Sequence, residues 1–406
     1  MNMSEFRAEI AIVGGGMAGL TMAAALAMAG LKVIVIDRDH PAVKTDQSFD
    51  GRTSAIAYGS KRVLDGLGLW SDLAADAEPI LDIRVSDGDS RLFLHYDHRE
   101  LGEEPLGYIV ENALILRSLY AHLASLRGVE VIAPATVVAL DLTDTYAELT
   151  LDDGRRVVAS LAIAADGRGS RMRQLADIRA LKWRYPQTSI VCVVEHERPH
   201  RGVAHERFLP AGPLAVLPMR GQRSSIVWTE RSALVPSMMA LDDAAFSLEI
   251  KKRFGPSLGH LRVVGARWEY PLSLVHAMRY AAERLALLGD AAHAIHPIAG
   301  QGFNLGLRDV AVLAELIVDA WRLGLDPGHG QILARYERWR RFDSIAMIAA
   351  TDGLNRLFSN SLPPVRLARD LGLAMVNGLP PLKRFFMRHA MGLVGDLPRL
   401  VKGEAL

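Results

Sequence analysis

Cysteine occurs once in the 406 residues, at Cys192. A single thiol excludes an intramolecular disulfide and a Cys-rich zinc site, and it suits a reducing compartment. Set in an apolar strand pattern, it reads as a small buried hydrophobe rather than a nucleophile. Charge of one sign is also lacking: 47 Lys and Arg against 46 Asp and Glu leave a formal +1. Nothing therefore draws the whole molecule onto nucleic acid, and no nucleic-acid partner is expected. No apolar run approaches the ~20 residues that a membrane-crossing helix requires. The N-terminal residues pass straight into a strand pattern, without the basic segment, apolar stretch and cleavage site of a signal peptide. The expected location is cytoplasmic, with any membrane contact peripheral and on the inner face. Motifs of the type G-x-S-x-G, H-E-x-x-H and the P-loop lysine are absent as well, which removes the hydrolase and nucleotide-triphosphatase readings.

What is present is an ordinary globular composition, 50% apolar and 23% charged, long enough for two closely packed domains. Glu9 to Val13 is a β-branched run that opens into Gly14-Gly15-Gly16, followed by an Ala-rich helical stretch from Leu20 to Met28. Gly30 can end that helix, and Lys32 to Asp37 reads as a second buried strand finishing on a carboxylate. Gly14, Gly16 and Gly19, with Ala18 between, fit G-x-G-x-x-G at a strand-to-helix turn. There, missing Cβ atoms let backbone N–H groups approach a pyrophosphate at the helix N-terminus. Asp37, about 20 residues on, stands where ribose hydroxyls would be held. Strand, glycines, helix, strand and acid in order indicate a dinucleotide site, and this fingerprint alone admits either NAD or FAD.

Further along, Asp87-Gly88 and Asp153-Gly154 punctuate short alternating segments over Asp82 to Tyr96 and Val129 to Val158, predicting hairpins. Leu161 to Ala165 returns to the first sheet and ends in Asp166-Gly167. From Trp183 to Tyr270 the β signals at Ile190 to Val194, Leu214 to Leu217 and Ser225 to Thr229 predict a second sheet, interrupted by a helix near Leu241 to Phe254. Arg284 to Leu288 is a last buried strand, followed by Gly289-Asp290, a turn-rich segment and a helix over Asn304 to Arg322. Beyond Pro327 the pattern is helical, broken by Pro363-Pro364, Pro380-Pro381 and Pro398.

The segment from Gly289-Asp290 through Pro297, Gly300, Gly302, Phe303 and Asn304 to Gly306 resembles the second FAD signature of group A flavoprotein monooxygenases, which have the para-hydroxybenzoate hydroxylase fold. Asp166-Gly167-Arg168-Gly169-Ser170-Arg171-Met172-Arg173 matches the internal D-G-x-x-S-x-x-R motif of that family. Asp50 to Ala55, with Trp183, Tyr185 and Gln187, Phe208 to Pro213, and Val227-Trp228-Thr229, is similar to the ubiquinone-biosynthesis hydroxylase branch. The resemblance spans nearly the whole chain.

It implies a mixed α/β fold: a Rossmann-like FAD-binding domain, an inserted antiparallel-sheet substrate domain and C-terminal helices. On this reading residues 1–82, 100–180 and 282–330 form the discontinuous FAD-binding domain. Residues 83–99 and 181–281 form the substrate domain, and 331–406 the helical region. FAD contacts are expected from Gly14, Gly16, Ala18, Gly19, Asp37, Arg38, Arg52, Arg117, Asp166, Asp290, Pro297, Gly300, Gly302, Phe303 and Asn304. The implied chemistry is reduction of FAD by NADH or NADPH, formation of a flavin C4a-hydroperoxide with O2, and hydroxylation of a polyprenylated phenol or benzoquinol. The rivals are a hydroxylase of a soluble phenol and a flavin-dependent prenyl reductase. The spacing of His205, Glu206 and Tyr185 singles out no acid or base, so catalytic residues stay unassigned. His293 and His296 beside Pro297 offer no convergent face for a metal, and none is expected. Arg366, Arg369, Lys383, Arg384, Arg388, Arg399 and Lys402, among apolar neighbours, suggest a surface resting on anionic lipid. Association with other ubiquinone-biosynthesis enzymes and the oligomeric state stay open.

Overall fold

In the computed structural model, residues 5–46, 52–88, 90, 92–358 and 363–406 are described. Asp50 and Gly51 of the third motif lie outside them. Because Glu5–Val13 ends in four buried apolar residues, it takes a central place. It pairs in parallel with Val33–Ile36 on one side and with Arg156–Ala164 on the other. Leu285–Leu287 extends this sheet in parallel beyond Arg156–Ala164. The crossover helix Met17–Met28 buries Gly19 to Ala27 on every side. It is clamped between helices Asn112–Ser125 and Gly302–Arg322. Two turn expectations hold, with Gly154 at φ +86° ahead of Arg156–Ala164 and Asp82–Asp87 antiparallel to Phe93–Asp97. Val129–Ile132 differs: instead of forming a hairpin it joins the parallel sheet beside Val33–Ile36.

The second sheet runs His293–Ala294, Leu261–Ala277, Ala180–His196, Arg223–Arg231, Gly212–Met219, Val203–Leu209, Asp82–Asp87, Phe93–Asp97. It is antiparallel except where Val203–Leu209 runs parallel to Asp82–Asp87. Ile190, Cys192, Val194, Leu214, Val216, Ile226 and Trp228 project from one face onto helix Asp243–Phe254 and form a core of their own. The opposite face looks toward the first sheet. Ala180–His196 is 17 residues long, well beyond the segment expected from Ile190 to Val194. Pro186 hides its first half in the sequence, and the structure accommodates that proline where the register shifts between Arg184 and Thr188.

A third sheet of Thr53–Ala57, Gly107–Glu111 and Glu78–Ile80 bridges the two. The C-terminal helices are Gly330–Phe358, Pro363–Gly378, Pro380–Ala390 and Arg399–Lys402. They wrap back over both sheets, and the Gly59 N–H donates to the Met391 carbonyl at 2.8 Å.

Candidate active site

Between the two large sheets lies one cavity of about 1820 Å3. Its first end is the glycine turn. Gly14 has φ +115°, and a Cβ there would stand 2.3 Å from the Ala165 carbonyl oxygen; a Cβ on Gly19 would stand 2.0 Å from that of Gly14. These two glycines therefore let the turn close on the sheet. Gly16 serves otherwise: nothing lies within 4 Å of a Cβ built on it, and it faces the cavity ahead of helix Met17–Met28. That is the arrangement in which a helix N-terminus receives a phosphate.

Asp37 is buried, 5% exposed. Its Oδ2 accepts hydrogen bonds from the Gly15 N–H and from Lys44 Nζ, the latter at 2.6 Å, and Oδ1 accepts from the Asp39 N–H at 2.8 Å. Sequence reasoning did not reveal Lys44. The Tyr120 hydroxyl donates to the Gly15 carbonyl at 3.3 Å. Burial, with the charges of Asp37 and Asp39, pushes that phenol up to about 12, so it stays protonated.

The internal motif at residues 166–173 and the second FAD motif at residues 289–306 meet at the cavity. Asp166 Oδ2 accepts from the Met172 N–H at 3.0 Å, while its buried Oδ1 has no partner among the described residues. Arg173 staples the motifs together, donating to the Ala291 carbonyl at 2.6 Å and to the Arg168 carbonyl at 3.0 Å. Burial raises the Asp290 carboxyl above its ordinary range, against the opposing pull of Arg168 and His293. Gly289 and Gly300 adopt φ +58° and +60°. Helix Gly302–Arg322 opens beside them, and a Cβ on Gly302 would meet nothing within 4 Å. Asn304 locks this turn to the third sheet: its Oδ1 accepts from the Ala57 N–H at 2.9 Å and its Nδ2 donates to the Ala55 carbonyl at 2.8 Å.

The cavity thus gathers Gly14, Gly16, Ala18, Asp37, Arg38, Arg52, Asp166, Asp290, Pro297, Gly300, Gly302, Phe303 and Asn304 on its wall. Two expected residues are elsewhere. Gly19 packs against the turn itself, and Arg117 is half-buried on helix Asn112–Ser125, whose residues Asn112, Ala113 and Leu116 reach the wall instead. The glycine cradle, the orphaned Asp166 oxygen and the helix N-terminus at Gly302 fit a dinucleotide with an anionic middle and a ring that gains negative charge on reduction.

Beneath the second motif lies a buried network that sequence reasoning missed. Asp309 accepts from the Gly289 N–H at 3.0 Å, from His293 Nε2 at 2.7 Å and from Arg340 Nε at 2.6 Å. Burial alone would raise its carboxyl, but His293 and the Arg340 guanidinium hold it below its ordinary value. An Asp on the otherwise apolar face of an expected helix, among Leu305, Val310, Val312 and Leu313, was the available signal. His296 is fully buried beside the Tyr185 ring, 5.1 Å between centroids, and burial lowers its pKa to about 4. The Tyr185 hydroxyl donates to Asp352 Oδ1 at 2.8 Å. Among the described residues, no group of three or more His, Cys, Asp or Glu is placed to hold a metal ion.

The far end of the cavity is walled by the second sheet and the C-terminal helices. Glu206 faces it, and burial pushes its carboxyl up to about 7. His205 is lowered to about 4, by burial first and then by Arg84 and Arg207, so its imidazole is neutral at physiological pH.

Residues 7–349 match the family described as FAD binding domain. Ubiquinone hydroxylase UbiL of Rhodospirillum rubrum is 52% identical over 402 residues, covering 98% of this chain and 94% of the relative. The 3-demethoxyubiquinol 3-hydroxylase of Escherichia coli is 37% identical, covering 95% of this chain and 98% of the relative. Among solved structures, p-nitrophenol 4-monooxygenase PnpA of Pseudomonas putida superposes with a TM-score of 0.81 at 21% identity, over 97% of this chain and 100% of that one. At that identity the likeness establishes the fold. Two FAD motifs meeting on one cavity, a family match over most of the chain and full-length relatives above 30% identity lead to one conclusion. The chain belongs to the FAD binding domain family, in its branch of ubiquinone-biosynthesis hydroxylases, and is an FAD-dependent monooxygenase.

Proposed function

We propose that this enzyme hydroxylates the aromatic ring of a polyprenylated phenol or benzoquinol in ubiquinone biosynthesis, using NADH or NADPH and O2. The observation that carries the reading is the continuity of one cavity from the glycine cradle to an apolar sheet face and the C-terminal helices. Its volume of about 1820 Å3 exceeds the ~300–1,000 Å3 of an ordinary small-molecule pocket, which leaves space for a second molecule beside a dinucleotide. Ile83, Leu94, Leu106, Leu217, Leu373 and Val376 line the part away from the cradle, a surface matched to a prenyl tail rather than to a small soluble phenol. The names of the relatives, ubiquinone hydroxylase and 3-demethoxyubiquinol 3-hydroxylase, support the same class of substrate.

In this reading FAD is held by Gly14, Gly16, Ala18, Asp37, Arg38 and Arg52 at one end, and by Asp166, Asp290 and the Pro297–Asn304 turn at the other. When bound it supplies electron transfer from nicotinamide and activation of one oxygen atom. With FAD bound, Asp37 would accept from ribose hydroxyls, and the N–H groups at Gly302 to Asn304 would favour negative charge on its ring. Apolar walls exclude water and orient the substrate ring. Residues 1–82, 100–180 and 282–330 serve the cofactor, 83–99 and 181–281 the substrate, and 331–406 the entrance.

The expected lipid-facing cation set contracts in the structure. Arg369 is paired with Asp87 at 2.7 Å, Lys383 with Glu100, and Arg399 with Asp319. The Arg366 side chain lies outside what is described. Arg384 and Arg388 stay exposed beside exposed Leu371, Met375, Phe385 and Phe386, and Phe386 also lines the cavity. This face is proposed as a peripheral contact through which the substrate enters from a bilayer. Among the described residues, no helix is long and apolar enough to cross a membrane.

The test is a flavin spectrum of the purified protein, with NADH- or NADPH-dependent O2 uptake on a short-tailed polyprenylphenol and mass analysis of the product. A product heavier by one oxygen supports the reading; bound flavin with reduced but unoxygenated product favours the reductase. Liposome co-sedimentation tests the entrance: Phe385→Ser with Phe386→Ser is expected to abolish binding, and unchanged binding would remove the membrane contact.

A further inference from the structure

We propose that Glu206 is the residue that accepts the phenolic proton of the substrate during ring hydroxylation, an inference that rests on the function proposed above. Val203–Leu209 pairs with Asp82–Asp87 so that Glu206 is opposite Val85, and with Gly212–Met219 so that it is opposite Ala215. Ala215 is opposite Val227, Val227 is opposite Val191, and Val85 is opposite Leu94. Alternation along each strand sends these side chains to one face. Leu94, Val85, Glu206, Ala215, Val227 and Val191 therefore form one cross-strand row, and every member lines the cavity. A lone carboxyl in an otherwise apolar row costs folding free energy and brings no packing advantage. Such a cost is typical of a group placed for function.

The carboxyl's environment agrees with this role. Burial raises it, and among the described residues no charge or hydrogen bond offsets that effect. Neighbouring ionisable groups are committed elsewhere. On the same face, Asp87 is paired with Arg369 at 2.7 Å from helix Pro363–Gly378, and burial pushes the Tyr96 hydroxyl up to about 12. His205 turns to the other face, its ring edge on Phe254, and Arg84, opposite it, shares that face. Arg207 donates to the Gly88 and Phe254 carbonyls, each at 2.8 Å. On helix Gly330–Phe358, Arg356 is paired with Asp352 at 2.8 Å.

The row also lies beside the cofactor end. Ser225, two residues from Val227 on the same strand, is hydrogen-bonded to Thr53 at 3.0 Å, and Thr53 adjoins Arg52 on the cavity wall. Glu206 is two strands, about 10 Å, across from Val227, with only the small Ala215 side chain between them.

The step balances. The activity takes two electrons from NADH or NADPH and cleaves the O–O bond of O2, one oxygen leaving as water. As the ring carbon forms its new C–O bond with the other oxygen, the phenolic O–H bond breaks. Its electron pair becomes the C=O of a dienone, and its proton passes to a Glu206 carboxylate oxygen. Loss of the proton from the hydroxylated carbon to solvent restores the aromatic ring, and Glu206 returns its proton to the ring oxygen. Glu206 must be ionised beforehand, so turnover should rise with pH through about 7.

The experiment compares wild type, Glu206→Gln and Glu206→Leu as holoenzymes with equal flavin content. It measures binding of a short-tailed prenylphenol against its O-methyl ether, and kcat/KM against pH. A charge-assisted hydrogen bond to the phenol is expected to make wild type favour phenol over ether about 10- to 100-fold. That preference should collapse in Glu206→Leu, and the acid limb near pH 7 should vanish in Glu206→Gln. An unchanged preference and an unchanged limb in both variants, with product still formed, overturn the assignment of Glu206 while leaving the hydroxylase. Glu206-dependent phenol selectivity in an enzyme that forms no oxygenated product supports the contact and overturns the hydroxylase reading instead.

Discussion

Breaking the ion pair between Asp309 and Arg340 should disturb the cofactor turn from beneath, and replacing both partners should undo much of the damage. Both side chains are 0% exposed, and Arg340 Nη1 also reaches Asp343 Oδ2 at 2.9 Å. Arg340→Met leaves the Asp309 carboxylate buried with only the Gly289 N–H and His293 as donors. Asp309→Asn leaves the guanidinium with Asp343 alone. Stranding one charge of a buried pair costs about 3–5 kcal/mol. In Asp309→Asn/Arg340→Met no charge is stranded, and the amide oxygen can still accept from the Gly289 N–H. The double variant should therefore cost about 2–4 kcal/mol rather than the sum of about 6–10, an interaction energy of roughly 2–8 kcal/mol. Denaturant midpoints at fixed saturating FAD, since a bound ligand adds to apparent stability, give the three differences. FAD affinity from flavin fluorescence should weaken in each single variant and recover in the double. Additive losses, with the double the least stable of the three, would refute the idea that the pair acts as one unit under Gly289–Asp290.

Four further outcomes are expected. Gly14→Ala meets both a φ of +115° and a backbone oxygen 2.3 Å away, so the protein should be recovered unstable and flavin-free. Gly16→Ala, with open space at its Cβ, should leave the apoprotein melting point unchanged and weaken FAD about tenfold; flavin-to-protein ratio and apoprotein melting separate the two. Asp37→Ala should weaken FAD about 10- to 100-fold by isothermal titration, through loss of charge-assisted hydrogen bonds to the ribose. The pH dependence of stability tests Glu206. Its folded carboxyl titrates at about 7, above the 4.5 of an ordinary glutamate, so the folded state holds the proton more tightly than the unfolded chain. That contribution is fully present below pH 4.5 and is lost as pH rises through 7. Glu206→Gln should therefore melt increasingly above wild type between pH 5 and pH 8, by roughly 2 °C or more at the upper end, and a constant difference would contradict the burial of this carboxyl.

What the sequence made legible and what it hid follow from the range of the interactions involved. Gly14, Gly289 and Gly300 adopt positive φ and Gly19 packs on the Gly14 carbonyl, requirements set within a few residues, so their motifs announce the turns and the cofactor; only the approach of Ala165 to Gly14 needs the sheet. Pro186 reads locally as a break, and only pairing with Leu261–Ala277 shows that a register shift admits it. The cationic run of the C-terminal helices looked like a lipid-facing stripe until Asp87, Glu100 and Asp319, each at least 80 residues away, claimed Arg369, Lys383 and Arg399. Glu206 is the extreme case. Read along its own strand it shares a face with Ala204 and Phe208, between His205 and Arg207 on the other, and nothing in that local pattern sets it apart. Its meaning appears only when Val85, Ala215 and Val227, from three other strands, are set beside it. A shift of one residue in any of those registers would turn the row over and leave the carboxyl opposite side chains of the other face. The site's chemistry is thus written in the pairing of strands far apart in the chain, while its cofactor is written in short turns, and that difference in range is why FAD could be read before the proton acceptor.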